Sequence, residues 1–213
     1  MSSTPRRGLY EGQWYADLSV VPDRNCDFQQ SFSTPAARIE IDIDRLRDRP
    51  ESYHVFAAKA CPFAHRVLMM LAHLPTAKLG VTYCDPWLGH PQGWTFLPDA
   101  TPPAGDRFLW EVYTASDPSY SGRVTVPVLW DCEAQAVASA ESLDIVLALA
   151  AAHGPHLIPE SNGFTALCDW IHAALNVGIY RVGFADSQQN YDAAIAKLDD
   201  ALDTVSALVS DGF

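Results

Sequence analysis

The apolar positions in the middle of the chain switch from a strand-like run to a helical period. Residues 53–58 (YHVFAA) form a short apolar run, which predicts a buried strand. From Phe63 onward the apolar residues recur with the 3.6-residue period of one helical face, and the row ends at Pro75. A second apolar run, at residues 79–84, predicts another strand. The residues of the helical row are Val67, Met70, Leu71 and Leu74.

The next part of the chain predicts a loop, a hairpin and a helix. The residues after 84 are rich in Pro, Gly, Asp and Trp, which predicts a long surface excursion with one short helix over 106–113. Two apolar runs at 124–130 and 134–139 flank a polar break and predict a hairpin. A strong helix is predicted over 143–152, with Ser142 as its N-cap. Strand, helix, strand, hairpin and helix together match the compact α+β plan of thioredoxins.

The two ends of the chain differ from this α+β region. Residues 1–52 are polar and mixed, which predicts an irregular N-terminal arm. After a Gly-Pro break the pattern is helical only, with candidate helices at 162–176 and 187–209. We therefore predict a thioredoxin-like domain at 53–153 and an all-α domain, incomplete in this chain, at 154–213. The prolines that interrupt the arm are Pro5, Pro22, Pro35 and Pro50.

Charge and cysteine content narrow the function classes. The chain has 213 residues and a formal charge of −12 without a Lys/Arg cluster, which argues against nucleic acid or an anionic membrane as partner. We expect neither a signal peptide nor a bilayer-spanning run. The odd number of irregularly spaced cysteines argues against a disulfide framework or a zinc site. We expect reduced thiols and no metal in a cytoplasmic protein. The cysteines are Cys26, Cys61, Cys84, Cys132 and Cys168.

Cys61 is the cysteine whose surroundings indicate chemistry. It falls at the predicted strand-to-helix junction, and Pro62 suits the first helical turn. A helix N-terminus lowers the pKa of a thiol, so we expect an activated thiolate. His65 and Arg66 either add positive potential or are solvated or paired helix residues. Because Ala64 stands where a CxxC pair would need its second cysteine, an external thiol must resolve any mixed disulfide, and glutathione is the candidate.

Two further segments are candidates for ligand binding. Proline cannot donate to a sheet ladder, so Pro127 in an apolar run indicates either an edge strand or a cis Val126–Pro127 bond that presents the Val126 backbone to a peptide ligand. Glu141 and Ser142 open a predicted helix, where they either form a simple cap or bind a carboxylate. Together with Cys61, these segments could hold the backbone and the γ-glutamyl end of glutathione.

The motifs resemble one family, the glutathionyl-hydroquinone reductases, also called Xi-class glutathione transferases. They occur in the order of the family and extend over about residues 53–209, and the ten-residue block that begins at Gly122 is the most specific of them. The matching segments are residues 61–66 (CPFAHR), 93–96 (GWTF), 122–131 (GRVTVPVLWD), 141–142 (ES) and 179–185 (IYRVGFA).

The resemblance implies a reductase reaction and a set of site residues. The thiolate of Cys61 would attack the glutathione sulfur of a glutathionyl-hydroquinone, and a second glutathione would regenerate it. The implied substrates are glutathione and glutathionylated aromatic small molecules, and a homodimer is a further expectation. Tyr180 and His172 would line the pocket for the aromatic substrate. The residues implied to contact glutathione are Trp94, Arg123, Val126, Pro127, Glu141 and Ser142.

Some positions depart from the family pattern. Phe63 replaces the usual Trp, Ala140 and Val177 replace Asn, and His172 replaces an expected Tyr. The family also continues through further helices, so we expect either a truncated product or a naturally shortened homologue. The alternative to an active reductase is a non-catalytic glutathione-binding or interaction module. A conjugating transferase is disfavoured, because a cysteine at this position forms a disulfide with glutathione.

Overall fold

The computed structural model describes residues 7–18, 40–74, 76–159 and 163–210. The chain divides into two compact units, Met1–Ile158 and Pro159–Phe213. The segment boundaries expected after residues 52 and 153 stay predictions. The residues singled out above that lie outside the described part are Pro5, Pro22, Cys26, Pro35, Pro75 and Asn162.

The first unit contains six short strands and four helices among its described residues. Their order confirms the predicted succession of strand, helix, strand, hairpin and helix. They are β1 (Gly8–Tyr10), β2 (Gln13–Tyr15), α1 (Ile43–Asp48), β3 (Tyr53–Ala57), α2 (Pro62–His73), β4 (Gly80–Tyr83), α3 (Leu109–Ser116), β5 (Val128–Asp131), β6 (Ala136–Ser139) and α4 (Ser142–His153).

Four of the strands form one mixed sheet in the order β4-β3-β5-β6. β3 runs parallel to β4 and antiparallel to β5, and Val55 lies opposite Val81 on one side and Leu129 on the other. Helices α2 and α4 pack against each other and contact β3 and β6. Val55, Leu129 and Ile145 are fully buried, and each such side chain stabilises the fold by roughly 1.5–3 kcal/mol. This arrangement confirms the thioredoxin-like fold.

Several element boundaries differ from the sequence prediction, among them those of α3, β5 and α4. Helix α3 begins at Leu109 rather than Asp106, because the Glu111 carboxylate accepts the N–H groups of residues 106–108 and so caps the helix after them. Strand β5 begins at Val128, directly after Pro127, which has no N–H to donate. The N-cap of α4 is Glu141, and Ser142 is the first helical residue.

The N-terminal arm contains regular structure that the sequence pattern did not reveal. Strands β1 and β2 form an antiparallel hairpin, and α1 precedes a 3₁₀ turn over Pro50–Ser52. Leu9 and Leu46 are fully buried in the core of the first unit. Elements of three to six residues are too short to show a hydrophobic period, which is why the arm was predicted to be irregular.

The second unit is helical, as predicted. A single helical stretch, α5 (Phe164–Ile171) followed by a π-helical turn (His172–Asn176) and α6 (Val177–Gly183), extends beyond the predicted end at residue 176. Helix α7 (Gln188–Ser210) agrees with the predicted 187–209.

An ion pair between Arg45 of α1 and the buried Asp131 of β5 links this helix to the sheet. The Asp131 carboxylate is fully buried, accepts a charge-assisted hydrogen bond from Arg45, and also accepts the N–H groups of Glu133 and Ala134. Arg45 in turn donates to the Tyr53 hydroxyl at 2.7 Å. Arg45 has a second carboxylate partner, Glu133, at 3.1 Å, whereas Arg45 is the charged partner that the structure gives to the buried Asp131. Loss of this pair removes a charge-assisted hydrogen bond from a buried site.

Asp131→Asn should therefore lower the free energy of unfolding by about 2–4 kcal/mol. Urea denaturation measures this change, with Asp99→Asn, at an exposed loop position, as the control expected to stay within about 0.5 kcal/mol of the original chain. Equal stability of the two variants would contradict the role of this ion pair.

Candidate active site

Cys61 occupies the position that its sequence context predicts. It follows a turn after β3, in which its N–H donates to the Ala58 carbonyl at 3.0 Å, and it is the N-cap of α2. Pro62 is the first residue of the helix, where a missing N–H costs no hydrogen bond. The thiol is half-buried at the N-terminal end of a twelve-residue helix.

The electrostatics of the thiol differ from the expectation. Burial raises the pKa of Cys61 above its ordinary value, and the backbone N–H groups of Ala64 and Phe63 lower it only in part. The helix N-terminus therefore supplies the predicted donors, but in this structure desolvation outweighs them. The expectation of a lowered pKa is wrong for the free protein.

The Val126–Pro127 segment faces this thiol. The peptide bond between the two residues is cis, as predicted, and both residues are buried. The Cys61 thiol donates to the Val126 carbonyl oxygen at 3.4 Å. The predicted nucleophile and the predicted backbone-recognition segment are thus brought into direct contact.

A side-chain hydrogen bond joins α2 to the start of α4. Arg66 donates from Nε to the Ser142 hydroxyl oxygen at 2.8 Å, and from Nη2 to the same oxygen. The Ser142 side chain is buried, whereas Glu141 is half-buried and donates its N–H to the Ser139 hydroxyl at 3.0 Å. Arg66 is therefore a paired residue, and its partner could not be predicted from the sequence because the two residues lie 76 positions apart.

Trp94 and Arg123 lie on two separate loops of the first unit. The half-buried Trp94 accepts the N–H of Leu109 at its carbonyl. Its neighbour Gly93 has a φ of +74°, and an added Cβ would lie 2.8 Å from the ring of Trp14. The Arg123 carbonyl accepts a hydrogen bond from the Tyr120 hydroxyl at 2.9 Å.

Strand β1 and the turn after it contact one of these loops, and Trp14 of β2 contacts the other. Leu9 exchanges both backbone hydrogen bonds with Gly122, at 2.8 and 2.9 Å. The Trp14 indole donates to the Pro91 carbonyl at 3.0 Å and stacks on Trp110. These contacts were not predicted from the sequence, in which the glycine-flanked aromatic runs of the arm were the only signal for them.

Tyr180 and His172 belong to the second unit. His172 begins the π-helical turn, and Tyr180 lies on α6 with its ring stacked on Phe184 at a centroid distance of 6.2 Å. Both side chains are half-buried. Their assignment to a substrate pocket stays a prediction.

Within the described ranges, no group of three or more His, Cys, Asp or Glu side chains is arranged to hold a metal ion. None of the helices described here is long and apolar enough to cross a membrane. The four cysteines of the described part are free thiols.

Comparisons with known proteins agree with this site. A family model described as the N-terminal domain of glutathione S-transferases matches residues 60–152. The glutathionyl-hydroquinone reductase PcpF of Sphingobium chlorophenolicum is 38% identical over 174 residues, covering 74% of this chain and 54% of that protein. The chain spans about half the length of the curated relatives it matches.

Solved structures of glutathione transferases are also similar to this chain. The Xi-class enzyme from Natrialba magadii matches with a TM-score of 0.79 at 28% identity, covering 99% of this chain and 67% of that one. The glutathione-bound structure of YqjG from Escherichia coli K-12 matches with a TM-score of 0.62 at 33% identity, covering 75% of this chain and 56% of that one.

The fold, the Cys-Pro helix start and the cis-proline loop are features of thioredoxin-like thiol proteins, and the family model places the chain among the glutathione transferases. The family model describes glutathione transferases in general, whereas the relatives and the structural neighbours belong to one class of them. The chain belongs to the Xi class, the family of the glutathionyl-hydroquinone reductases. The resemblance inferred from the motifs is thereby confirmed.

The raised pKa of Cys61 predicts a characteristic pH profile. Alkylation of Cys61 by iodoacetamide should keep accelerating as the pH rises past the ordinary thiol pKa of about 8.5, because only the thiolate reacts. Peptide mapping of quenched samples measures the rate, with N-acetylcysteine as the reference thiol. A rate that is already constant between pH 6 and 8 would contradict the account of burial.

Proposed function

We propose that the protein is a glutathione-dependent reductase that removes glutathione from glutathionyl-hydroquinones. The observation that carries the proposal is the contact between the Cys61 thiol and the Val126 carbonyl beside a cis-proline, without a second cysteine in the motif. The relative PcpF, which is named for this activity, and the glutathione-bound YqjG structure support it.

The reaction requires two successive attacks of a thiolate on a sulfur atom. The Cys61 thiolate attacks the sulfur of the glutathionyl group, and the bond between that sulfur and the aromatic carbon breaks. The electron pair of that bond stays on the carbon, which takes up a proton to give the free hydroquinone. The thiolate of a second glutathione then attacks the Cys61 mixed disulfide, which releases oxidised glutathione and regenerates the Cys61 thiolate.

The surroundings of Cys61 suit this role. The N–H groups of Phe63 and Ala64 stabilise the thiolate once it forms. The raised pKa reduces the thiolate fraction, but the nucleophilicity of a thiolate increases with its pKa, which offsets part of that loss. Because no partner cysteine follows in the motif, the mixed disulfide persists until an external thiol reaches it.

The start of α4 suits the γ-glutamyl carboxylate of glutathione. The Ser142 hydroxyl oxygen accepts two hydrogen bonds from Arg66, so its own proton is left to donate to a ligand. The first N–H groups of the helix and the nearby guanidinium favour an anion there. Glu141 would accept from the ammonium group, and Val126 would pair with the glutathione backbone.

The remaining assignments belong to the same proposal. Trp94, Arg123 and Pro127 would complete the glutathione site, and Tyr180 and His172 would contact the aromatic ring. The need for reduced glutathione favours a cytoplasmic location. A homodimer and the absence of a metal stay predictions.

A non-catalytic glutathione-binding module is the second candidate function. The observation that favours it is the net desolvation of the Cys61 thiol, which raises the pKa and disfavours the reactive form at neutral pH. Such a module would bind glutathione without turnover.

Cys61→Ser should abolish hydroquinone release from a glutathionyl-hydroquinone, because a serine hydroxyl cannot form the mixed disulfide. Chromatography of the products measures release, and circular dichroism checks the fold. Cys132→Ser, which changes another half-buried cysteine of the same unit, is the matched control and should retain full turnover. Turnover by Cys61→Ser equal to the control would reject the proposed mechanism, and absence of turnover in the original chain would favour the binding module.

Ser142→Ala should raise the KM for glutathione about tenfold, because it removes a hydrogen bond to a charged group. The expected change in kcat is small, since Ser142 does not touch the reacting sulfur. Ser116→Ala removes a hydroxyl of the same unit that accepts a backbone N–H from Val137 and serves as the control. An unchanged KM in Ser142→Ala would remove Ser142 from the binding site.

A further inference from the structure

Two tyrosines hold the segment that leads to the cis-proline. The Tyr120 hydroxyl donates to the Arg123 carbonyl at 2.9 Å, and the Tyr113 hydroxyl donates to the Thr125 carbonyl, also at 2.9 Å. Tyr113 additionally accepts the Thr125 N–H at 3.3 Å. Three backbone groups within three residues of the segment are therefore bound by two side chains.

The two tyrosines form one aromatic pair. Their rings contact each other at a centroid distance of 5.1 Å, so the carbonyls of Arg123 and Thr125 are drawn toward the same aromatic pair. The next carbonyl along the chain, that of Val126, accepts from the Cys61 thiol instead. The carbonyls of Arg123 and Thr125 are therefore bound by the buried tyrosine pair, whereas that of Val126 is bound by the site cysteine.

Both tyrosines are buried, and the Tyr113 hydroxyl stays protonated. Tyr113 and Tyr120 are 1% and 4% exposed, and buried tyrosine hydroxyls need a partner to offset the loss of water. Burial raises the pKa of Tyr113 to about 12, so its hydroxyl remains a donor over the working pH range of a cytoplasmic protein. The Thr125 carbonyl therefore keeps its hydroxyl donor.

Among the described contacts, no other part of the first unit forms a hydrogen bond with the backbone of Thr125. Strand β5 begins only at Val128, and the backbone bridge to the N-terminal hairpin lies at Gly122. Arg123, Val124 and Thr125 therefore lie between an isolated backbone bridge and strand β5, and the tyrosine hydroxyls supply hydrogen bonds to the backbone of Arg123 and Thr125.

We propose that Tyr113 and Tyr120 are positioning residues for glutathione recognition: by holding the carbonyls of Arg123 and Thr125, they fix the direction in which the Val126 backbone faces the ligand and the Cys61 thiol. The inference rests on the proposed function, because it assumes that Val126 pairs with the glutathione backbone. Neither tyrosine needs to touch glutathione for this role.

Single and double Tyr→Phe variants test the proposal, because they keep the rings and remove only the hydroxyls. The probe is S-methylglutathione, which has the glutathione backbone but cannot form a disulfide, and calorimetry of the full chain gives its Kd. We expect a rise in Kd of about threefold to fivefold for Tyr113→Phe and for Tyr120→Phe, and of at least tenfold for the double variant.

Tyr53→Phe is the matched control. Its hydroxyl is equally buried and accepts from Arg45 and from the Asp42 N–H, so its loss should destabilise the unit to a similar degree. Tyr53 pairs with Asp131 at the end of β3 remote from Cys61, about 10 Å along the strand from Phe56, which pairs with Val128. Its Kd for the probe should stay within about twofold of the original chain.

Urea denaturation of each variant separates a positioning role from a general loss of stability. A higher Kd in the Tyr113 and Tyr120 variants, but not in Tyr53→Phe at comparable stability, supports the proposal. A Kd unchanged in the double variant, while the original chain binds the probe, overturns the positioning role alone. No binding of the probe by the original chain overturns the proposed function, on which the inference depends.

Discussion

The contact between the Cys61 thiol and the Val126 carbonyl is the constraint on which the site depends. The two residues are 65 positions apart, and they meet because the sheet joins their supports: β3 leads to Cys61, β5 follows Pro127, and the two strands pair from Phe56–Val128 to Tyr53–Asp131. Core packing fixes the register of this pairing, since a slip of one residue would exchange the side chains of the two buried faces. The geometry of the site is therefore a consequence of core packing.

Two further features adapt this frame to a thiol reaction. The start of α2 provides two N–H donors to the sulfur, and the start of α4 provides a hydroxyl whose acceptor capacity is occupied by Arg66. Both helices pack against each other, so the spacing of the two helix N-termini is set by α2–α4 packing. The same burial that creates this precision raises the pKa of Cys61. In the free protein, the burial that fixes the geometry of the site therefore also lowers the fraction of Cys61 that is present as thiolate.

The sequence predicted the parts of the fold whose residues repeat with a clear period. The helical row from Val67 to Leu74 and the apolar runs around Val55 and Leu129 gave α2, β3 and β5 to within a few residues. Local chemistry predicted the cis bond before Pro127. The β1–β2 hairpin, α1 and the N-cap at Glu141 were missed, because short elements carry no period and a serine beside a helix start looks like a cap. The Arg66–Ser142 bond and the tyrosine support depend on contacts between distant segments, which no local pattern encodes.

Intact-protein mass spectrometry after brief exposure to oxidised glutathione tests whether Cys61 lies in a glutathione site. We expect one glutathione adduct per chain, mapped to Cys61, which dithiothreitol removes and which Cys61→Ser lacks. Labelling distributed over Cys132 and Cys168 with Cys61 unmodified would contradict the claim that Cys61 lies in a glutathione site.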